Sequence, residues 1–194
     1  MQDSITQLKE LIQALPQGLQ AHLARTRDLA LELASSHTLP ADKVELAALG
    51  HDLARAHKQE ALLREAGSLG LEINHVEKHV PLLLHGPIAA TFLNRDCGVA
   101  DPEVLEAVRY HSTAIAGMKP VGLVVFLADK LEPQKVKRSI GLQGILATAR
   151  RSLEHATVDY LTRMMINLLK SGKLLHPASI KAVSYTHLRA HETL

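Results

Sequence analysis

The feature that constrains this chain most is an apolar repeat at helical spacing that includes histidines and aspartates on its apolar side. In residues 44–51, apolar side chains at positions i, i+3 and i+4 are followed by His51 at i+7. Residues 104–111 repeat this pattern and end on His111. Such spacing predicts amphipathic helices whose histidines face the protein interior.

Six residues share this placement, and each carries an imidazole or a carboxylate: His22, His51, Asp52, His85, His111 and Asp129. Unpaired charges are costly inside a helical core, so these groups have to pair with one another or hold a metal. A lone buried histidine is more often a hydrogen-bonded core residue, and that is the alternative for each imidazole. The adjacent His51-Asp52 pair and an aspartate inside the apolar run 126–129 favour the metal. Four imidazoles and two carboxylates without a thiolate suit iron, manganese or zinc.

The composition limits both the fold and the partners. The 194 residues are 46% hydrophobic but only 3% aromatic, so the core has to be built from aliphatic side chains packed helix on helix. A formal net charge of +2 is too small to predict binding to nucleic acid or to a membrane surface. No stretch reaches the ~20 apolar residues that span a bilayer, and the single Cys97 excludes an internal disulfide. We expect an all-α, cytoplasmic protein.

Capping and helix-breaking residues divide the chain into helices. Asp42 and Asp101 are predicted to cap helices that run to about Arg55 and to His111. Residues 67–80 and the basic segment 134–144 are predicted to be irregular, and the run 121–127 is also compatible with a short buried strand. The predicted helices cover residues 4–14, 17–36, 42–55, 58–66, 81–95, 102–111, 120–131 and 145–171.

The end of the sequence differs in character from the rest. Residues 184–193 resemble the translated read-through of a sequencing adapter. We therefore interpret residues 1–183 as one domain and residues 184–194 as a non-native tail.

The order of the motifs resembles that of the HD-domain metal-dependent phosphohydrolases. Within that superfamily, the chain is similar to symmetrical dinucleoside-tetraphosphate hydrolases of the YqeK type over residues 17–182. The spacing of 29 residues from His22 to His51 also fits those proteins. The stretches that carry the resemblance are residues 47–55, 83–90, 108–112 and 126–133.

The resemblance implies a single helical HD-domain bundle over residues 1–183, with a metal site at its centre. The implied ligands of one metal ion are His22, His51, Asp52 and Asp129. His85 and His111 would hold a second ion or contact the phosphates of the substrate. The implied cofactor is therefore one or two divalent transition-metal ions, iron first and manganese or zinc as alternatives. The implied reaction is symmetric hydrolysis of diadenosine tetraphosphate to two ADP by a metal-activated water that attacks phosphorus.

Polar side chains near these motifs are candidates for binding the phosphates. Arg55 lies one helical turn beyond the His51-Asp52 pair, so we predict that it acts in catalysis together with Asp52. An ordinary solvated basic face is the alternative for the cations. The predicted substrate-binding residues are Arg55, Arg109, Ser112, Lys135 and Arg138.

Two other functions remain open on the sequence alone. An HD-domain nucleotidase acting on nucleoside monophosphates would release a nucleoside and phosphate rather than ADP. A non-catalytic signalling or binding module is disfavoured, because such modules typically lose metal ligands and this chain keeps all six. The expected partner is a nucleotide substrate, with a homodimer as an open alternative.

Overall fold

A computed structural model describes residues 2–192 of the chain, and the side chains of residues 4–187. Within that part the chain forms twelve α-helices, one 3₁₀ helix at Pro81–Leu84 and no strand, so the all-α prediction is confirmed. In chain order the α-helices are α1 (Gln2–Gln13), α2 (Gln17–Ser36), α3 (Ala41–Gly50), α4 (Gln59–Ser68), α5 (His75–His79), α6 (His85–Cys97), α7 (Pro102–Tyr110), α8 (Pro120–Leu131), α9 (Pro133–Arg138), α10 (Ile140–Ala149), α11 (Leu153–Lys170) and α12 (Pro177–Glu192).

Helix α8 lies at the centre of the fold. Its residues 121–129 are all buried, because the helix packs against α2, α3, α7, α10 and α11. A helix that is apolar all round its circumference is stable only when it is enclosed in this way. The alternative of a strand at 121–127 is therefore wrong. Because Asp129 occupies the last turn of α8, the helix carries its carboxylate into the interior.

Several predicted boundaries hold. Helix α2 has the bounds predicted for it. Helix α7 begins after Asp101, whose side chain accepts hydrogen bonds from the backbone N–H groups of Glu103 and Val104. These bonds satisfy two of the free donors at the start of the helix, as the Asp-Pro pair predicts.

The helix predicted from Asp42 to Arg55 is shorter than expected. Helix α3 follows Pro40, no side chain caps it, and Asp42 lies inside its first turn. The helix ends at Gly50, and residues 51–56 form turns. In a continued helix, neighbouring side chains point about 100° apart. The two adjacent residues His51 and Asp52 are nevertheless both buried, in the turn that follows Gly50.

The two segments predicted as irregular contain helices. In the first, Asn74 caps the five-residue helix α5 through a capping box with Glu77. In the second lie α9 and the start of α10. Helices this short carry too little periodicity to be predicted, because caps and tertiary contacts stabilise them.

The final helix predicted at 145–171 is two helices. Helix α10 ends at Ala149, and Ser152 then caps α11 by accepting a hydrogen bond from the backbone N–H of His155. Helix α12 follows and packs against α11. It includes residues 184–192 of the suspected tail, whose non-native origin stays a prediction; residues 193 and 194 lie outside the described residues. None of the described helices combines the length and apolar character needed to cross a bilayer.

Candidate metal centre

The six residues singled out from the sequence converge on one place in the structure. Five of them are buried, with between 0% and 5% of their surface exposed, and only His22 is partly open to solvent. They come from α2, from the turn after α3, from the start of α6, from the end of α7 and from α8: His22, His51 and Asp52, His85, His111, and Asp129.

Three of the histidines are oriented by the backbone of their own segment. The Nδ1 of His51 donates to the carbonyl oxygen of Ala48 at 2.7 Å, and that of His111 donates to Val108 at 2.8 Å. His85 makes the same bond to Leu82. With Nδ1 used as the donor, each ring keeps an unprotonated Nε2 pointing toward the centre, which is the tautomer that binds a metal.

The fourth histidine is oriented differently. The Nδ1 of His22 faces the Oε1 of Glu132 at 4.0 Å, and the Nε of Arg25 donates to the other oxygen of that carboxylate at 2.7 Å. Burial alone would raise the pKa of Glu132, but the hydrogen bonds from Arg25 and the backbone of Gln134, with the charges of Arg25 and His22, together lower it. An ionised carboxylate thus stands behind His22, an arrangement common among metal-binding histidines.

The ligand atoms are close enough to share a metal ion in two groups of three: His22, His51 and Asp129, and His51, Asp52 and His111. Ligands bound at about 2.1 Å can be at most about 4.2 Å apart. The Nε2 of His22 lies 3.1 Å from the Oδ1 of Asp129 and 3.7 Å from the Oδ2 of Asp52. The Nε2 of His51 lies 3.6 Å from the same Asp52 oxygen and 3.9 Å from the same Asp129 oxygen. Within the described residues, this Nε2 is buried and has no hydrogen-bond partner, so the donor set fits a metal.

The other oxygen of Asp52 faces the remaining two histidines. Its Oδ1 lies 3.0 Å from the Nε2 of His85 and 3.4 Å from the Nε2 of His111. These two nitrogens lie only 2.9 Å apart, although each ring already donates from Nδ1. Two lone pairs at that distance repel each other unless a proton or a cation lies near them. Asp52 therefore joins two groups of ligands.

The protonation states suit a divalent cation. Burial lowers the pKa of His51, and it lowers the pKa of His111 to about 4 although contact with Asp52 opposes the shift. Burial would raise the pKa of both aspartates, but the surrounding histidines hold the pKa of Asp52 well below its usual range. Lys130 and His22 do the same for Asp129. At neutral pH these carboxylates are ionised and these two imidazoles are neutral, as metal binding requires.

The centre opens into a cavity of about 680 Å³ with cations on its wall. The Nζ atoms of Lys130 and Lys135 lie 2.6 Å and 2.7 Å from the two oxygens of Asp129. Arg55 is exposed at the mouth of the cavity and makes no ion pair with any described side chain. Ser112 lines the same cavity, with its Oγ 3.1 Å from the Nε2 of His111. The cavity therefore combines ionised ligands with positive charge suited to an anion.

The structure separates two of the predicted substrate-binding residues from this cavity. Arg109 lines a different cavity, next to Glu77 and His176. Arg138 is exposed at the end of α9 and does not line the cavity of the centre. Arg55, Ser112 and Lys135 do line it.

Three lining residues with charged, aromatic or thioether side chains were not predicted from the sequence. Lys130 follows Asp129 directly; its burial would lower its pKa, but Asp129 raises it. Tyr160 and Met164 come from α11 and form a wall of the cavity. Their spacing of four residues places them on one face of that helix, a signal that also marks ordinary core residues.

A glycine permits the close approach of α6 and α7. A Cβ atom on Gly86 would lie 2.7 Å from the carbonyl oxygen of Arg109 and 3.3 Å from the Nδ1 of His111. No side chain fits in that gap without moving the backbone. Gly86 therefore allows His85, its neighbour in sequence, to reach His111.

The chain is similar in sequence to a known family and to proteins of known name. The sequence model of the HD domain family matches residues 19–134. A symmetrical bis(5'-nucleosyl)-tetraphosphatase of Bacillus subtilis is 28% identical over 165 residues, 85% of this chain and 87% of that protein. The protein of the same name from Staphylococcus aureus is 26% identical over 174 residues, 88% of each chain.

A solved structure has the same fold. It is a crystal structure from Clostridium acetobutylicum described as a predicted HD superfamily hydrolase involved in NAD metabolism. The two chains superimpose with a TM-score of 0.89 over 95% of this chain and 96% of the other, at 23% sequence identity. At that identity the likeness shows the fold.

Proposed function

The chain belongs to the HD domain family, and we propose that it is a metal-dependent phosphohydrolase that cleaves dinucleoside tetraphosphates symmetrically into two nucleoside diphosphates. The observation that carries the proposal is one cavity lined by five of the six ligand residues and by a row of cations. The sixth, His51, lies behind them with its Nε2 3.6 Å from Asp52. The names of the relatives from Bacillus subtilis and Staphylococcus aureus support the same substrate class.

The metal ligands would be His22, His51, Asp52 and Asp129, with His85 and His111 completing a second group around Asp52. A bound divalent ion would lower the pKa of a coordinated water toward about 7, so that a nucleophile is available at neutral pH. We propose iron as that ion, with manganese or zinc as alternatives. The expectations of a homodimer and of a cytoplasmic location stay predictions.

The protein's own residues would position the polyphosphate. Lys135 is held against Asp129, with its Nζ also 2.6 Å from the backbone carbonyl of the same residue. It therefore presents positive charge at the edge of the ligand cluster. Arg55 lacks an ion-pair partner among the described side chains and can donate to a phosphate from the mouth of the cavity. Together these cations would stabilise the charge that develops on the phosphoryl oxygens and on the leaving diphosphate.

Product analysis tests the proposal directly. Diadenosine tetraphosphate, AMP and deoxynucleoside monophosphates are incubated with the metal-loaded protein at equal concentration, and the products are separated by chromatography. We expect ADP as the product of the tetraphosphate and little release from the monophosphates. Faster release of phosphate from the monophosphates would instead favour the nucleotidase.

The role of Lys135 can be tested separately. Lys135→Ala should raise KM for the tetraphosphate severalfold, and more than it raises KM for a mononucleotide, because the longer chain has more charge to neutralise. Lys137→Ala is the matched control, since Lys137 is exposed and does not line the cavity. Metal content is measured in both variants, because Lys135 contacts a ligand residue. An equal rise in KM for both substrates would contradict the assigned role.

A further inference from the structure

A second cavity adjoins the metal centre and differs from it in chemistry. Its volume is about 480 Å³, within the range of roughly 300–1,000 Å³ that is typical of small-molecule sites. It shares Leu83, Ser112 and Met164 with the cavity of the metal centre, so the two cavities lie side by side. We call it the apolar cavity; its aliphatic lining is Val80, Leu83, Met164, Leu168, Leu174 and Leu175.

The apolar cavity presents aliphatic surface to solvent beside a charged site. Val80 is 39% exposed and Leu174 is 45% exposed. Exposed aliphatic surface next to a phosphate-binding cavity suits a ligand that joins a flat apolar group to a charged chain. The ligand class of the proposed function has this form, since an aromatic base stands at each end of its polyphosphate.

We propose that the apolar cavity binds one nucleobase of the substrate while the adjoining phosphates lie in the cavity of the metal centre. The inference rests on the proposed function for the identity of the ligand. Helix α11 supports it by geometry: Tyr160 faces the metal cavity, Met164 lines both cavities, and Leu168 lines the apolar one, at intervals of four residues on one helix face. The thioether of Met164 at the junction suits contact with an aromatic ring.

The polar groups around the apolar cavity are largely engaged with the protein. Ser179 donates its hydroxyl to the carbonyl of Thr113 at 2.7 Å. The Nε2 of His176 lies 2.9 Å from the side-chain nitrogen of Asn74. Apolar contact and shape would therefore hold the base more than hydrogen bonds do. A site of this kind discriminates weakly between related ligands, so we expect ADP and GDP to bind with similar affinity.

Two neighbouring leucines on α11 provide a matched pair of variants. Leu168 lines the apolar cavity, whereas Leu169 is 63% exposed and lines neither cavity. Leu168→Trp places a larger side chain where the base would lie, and Leu169→Trp makes the same chemical change on the solvent side. Leu168→Ala removes contacts without adding volume, which keeps the test valid if the tryptophan variant does not fold.

The test is titration calorimetry of ADP and of inorganic pyrophosphate into the metal-loaded protein. Leu168→Trp should weaken ADP binding by at least about tenfold, the equivalent of about 1.4 kcal/mol, and leave pyrophosphate binding unchanged. Leu168→Ala should weaken ADP selectively as well, and Leu169→Trp should change neither ligand. The proposal is wrong if the wild-type protein binds ADP no more tightly than pyrophosphate, or if the Leu168 variants weaken both ligands equally or neither.

The ADP-binding measurement tests the base-binding cavity, whereas the hydrolysis measurement tests the proposed function. If ADP shows the expected dependence on Leu168 but diadenosine tetraphosphate is not cleaved, the proposed function fails and the base-binding cavity stands. If the tetraphosphate is cleaved but ADP binding does not depend on Leu168, the function stands and the cavity assignment fails.

Discussion

Replacement of Gly86 by alanine should separate His85 from His111. The new Cβ would lie 2.7 Å from the carbonyl oxygen of Arg109 and 3.2 Å from that of Val108. Carbon–oxygen contacts settle at about 3.3–3.6 Å, so the start of α6 has to move away from α7 by about 0.6 Å. Overpacking of this kind costs roughly 1–3 kcal/mol of stability. The displacement also exceeds the ~0.5 Å within which a catalytic arrangement has to be held.

The measurements are the free energy of unfolding in urea, in the presence of a chelator, and kcat/KM with the metal restored. Gly67→Ala is the control, because Gly67 lies in α4 and a Cβ there meets nothing within 4 Å. That variant should be neutral or more stable by up to about 1 kcal/mol, since alanine favours a helix. We expect Gly86→Ala to lose both stability and activity. A Gly86→Ala protein as stable and active as the control would refute the argument that backbone proximity positions the two histidines.

Three further predictions follow from the same contacts. Asp52→Asn should abolish metal binding and activity while helical content is retained, because Asp52 joins both ligand groups; full metal occupancy by elemental analysis would contradict this. His22→Ala should lose metal more readily than His85→Ala, and equal losses would show that the two residues do not differ in role. Glu77→Gln should cost roughly 0.3–1 kcal/mol at neutral pH, because glutamine keeps the capping-box hydrogen bond but loses the negative charge in the first turn of α5, which faces His176. Burial would raise the pKa of Glu77, but its partners lower that pKa below 4.5, so its contribution is present above that pH and is lost as the pH falls through the folded-state pKa. Urea denaturation between pH 6 and pH 3, a range set about the usual carboxyl pKa, should therefore show the difference between wild type and Glu77→Gln shrinking as the pH falls; a constant difference would contradict the assignment.

The ligand cluster was predictable because it breaks a pattern. A histidine or aspartate in an apolar helical repeat has few explanations other than a partner or a metal, and all six such residues converge in the structure. The wall formed by Tyr160 and Met164 gives no such signal, because a side chain that lines a cavity has the same periodicity as one in the core.

The side of a helix on which a basic side chain lies can be predicted only from its angular position around the helix axis. Arg109 precedes His111 by two residues, which is about 200° around a helix, so the two side chains point to opposite sides. The structure accordingly places Arg109 in another cavity. Lys130 was not predicted because its position, one residue beyond Asp129, suggests a side chain that points elsewhere. Its long flexible side chain turns back and places its Nζ 2.6 Å from that carboxylate.

The orientation of the imidazoles follows from the positions of the helix ends. His51, His85 and His111 all lie at a helix terminus or in its first turn, and each uses a carbonyl three residues earlier to fix its ring. These bonds depend on the local backbone, so they can form before the segments meet. His22 lies inside α2, and its ring makes no such bond among the described residues. Its Nε2 lies 3.1 Å from Asp129 in α8, and its Nδ1 faces Glu132, just beyond α8, at 4.0 Å. The ligand group that contains His22 is therefore the one whose geometry requires the packing of α2 against α8.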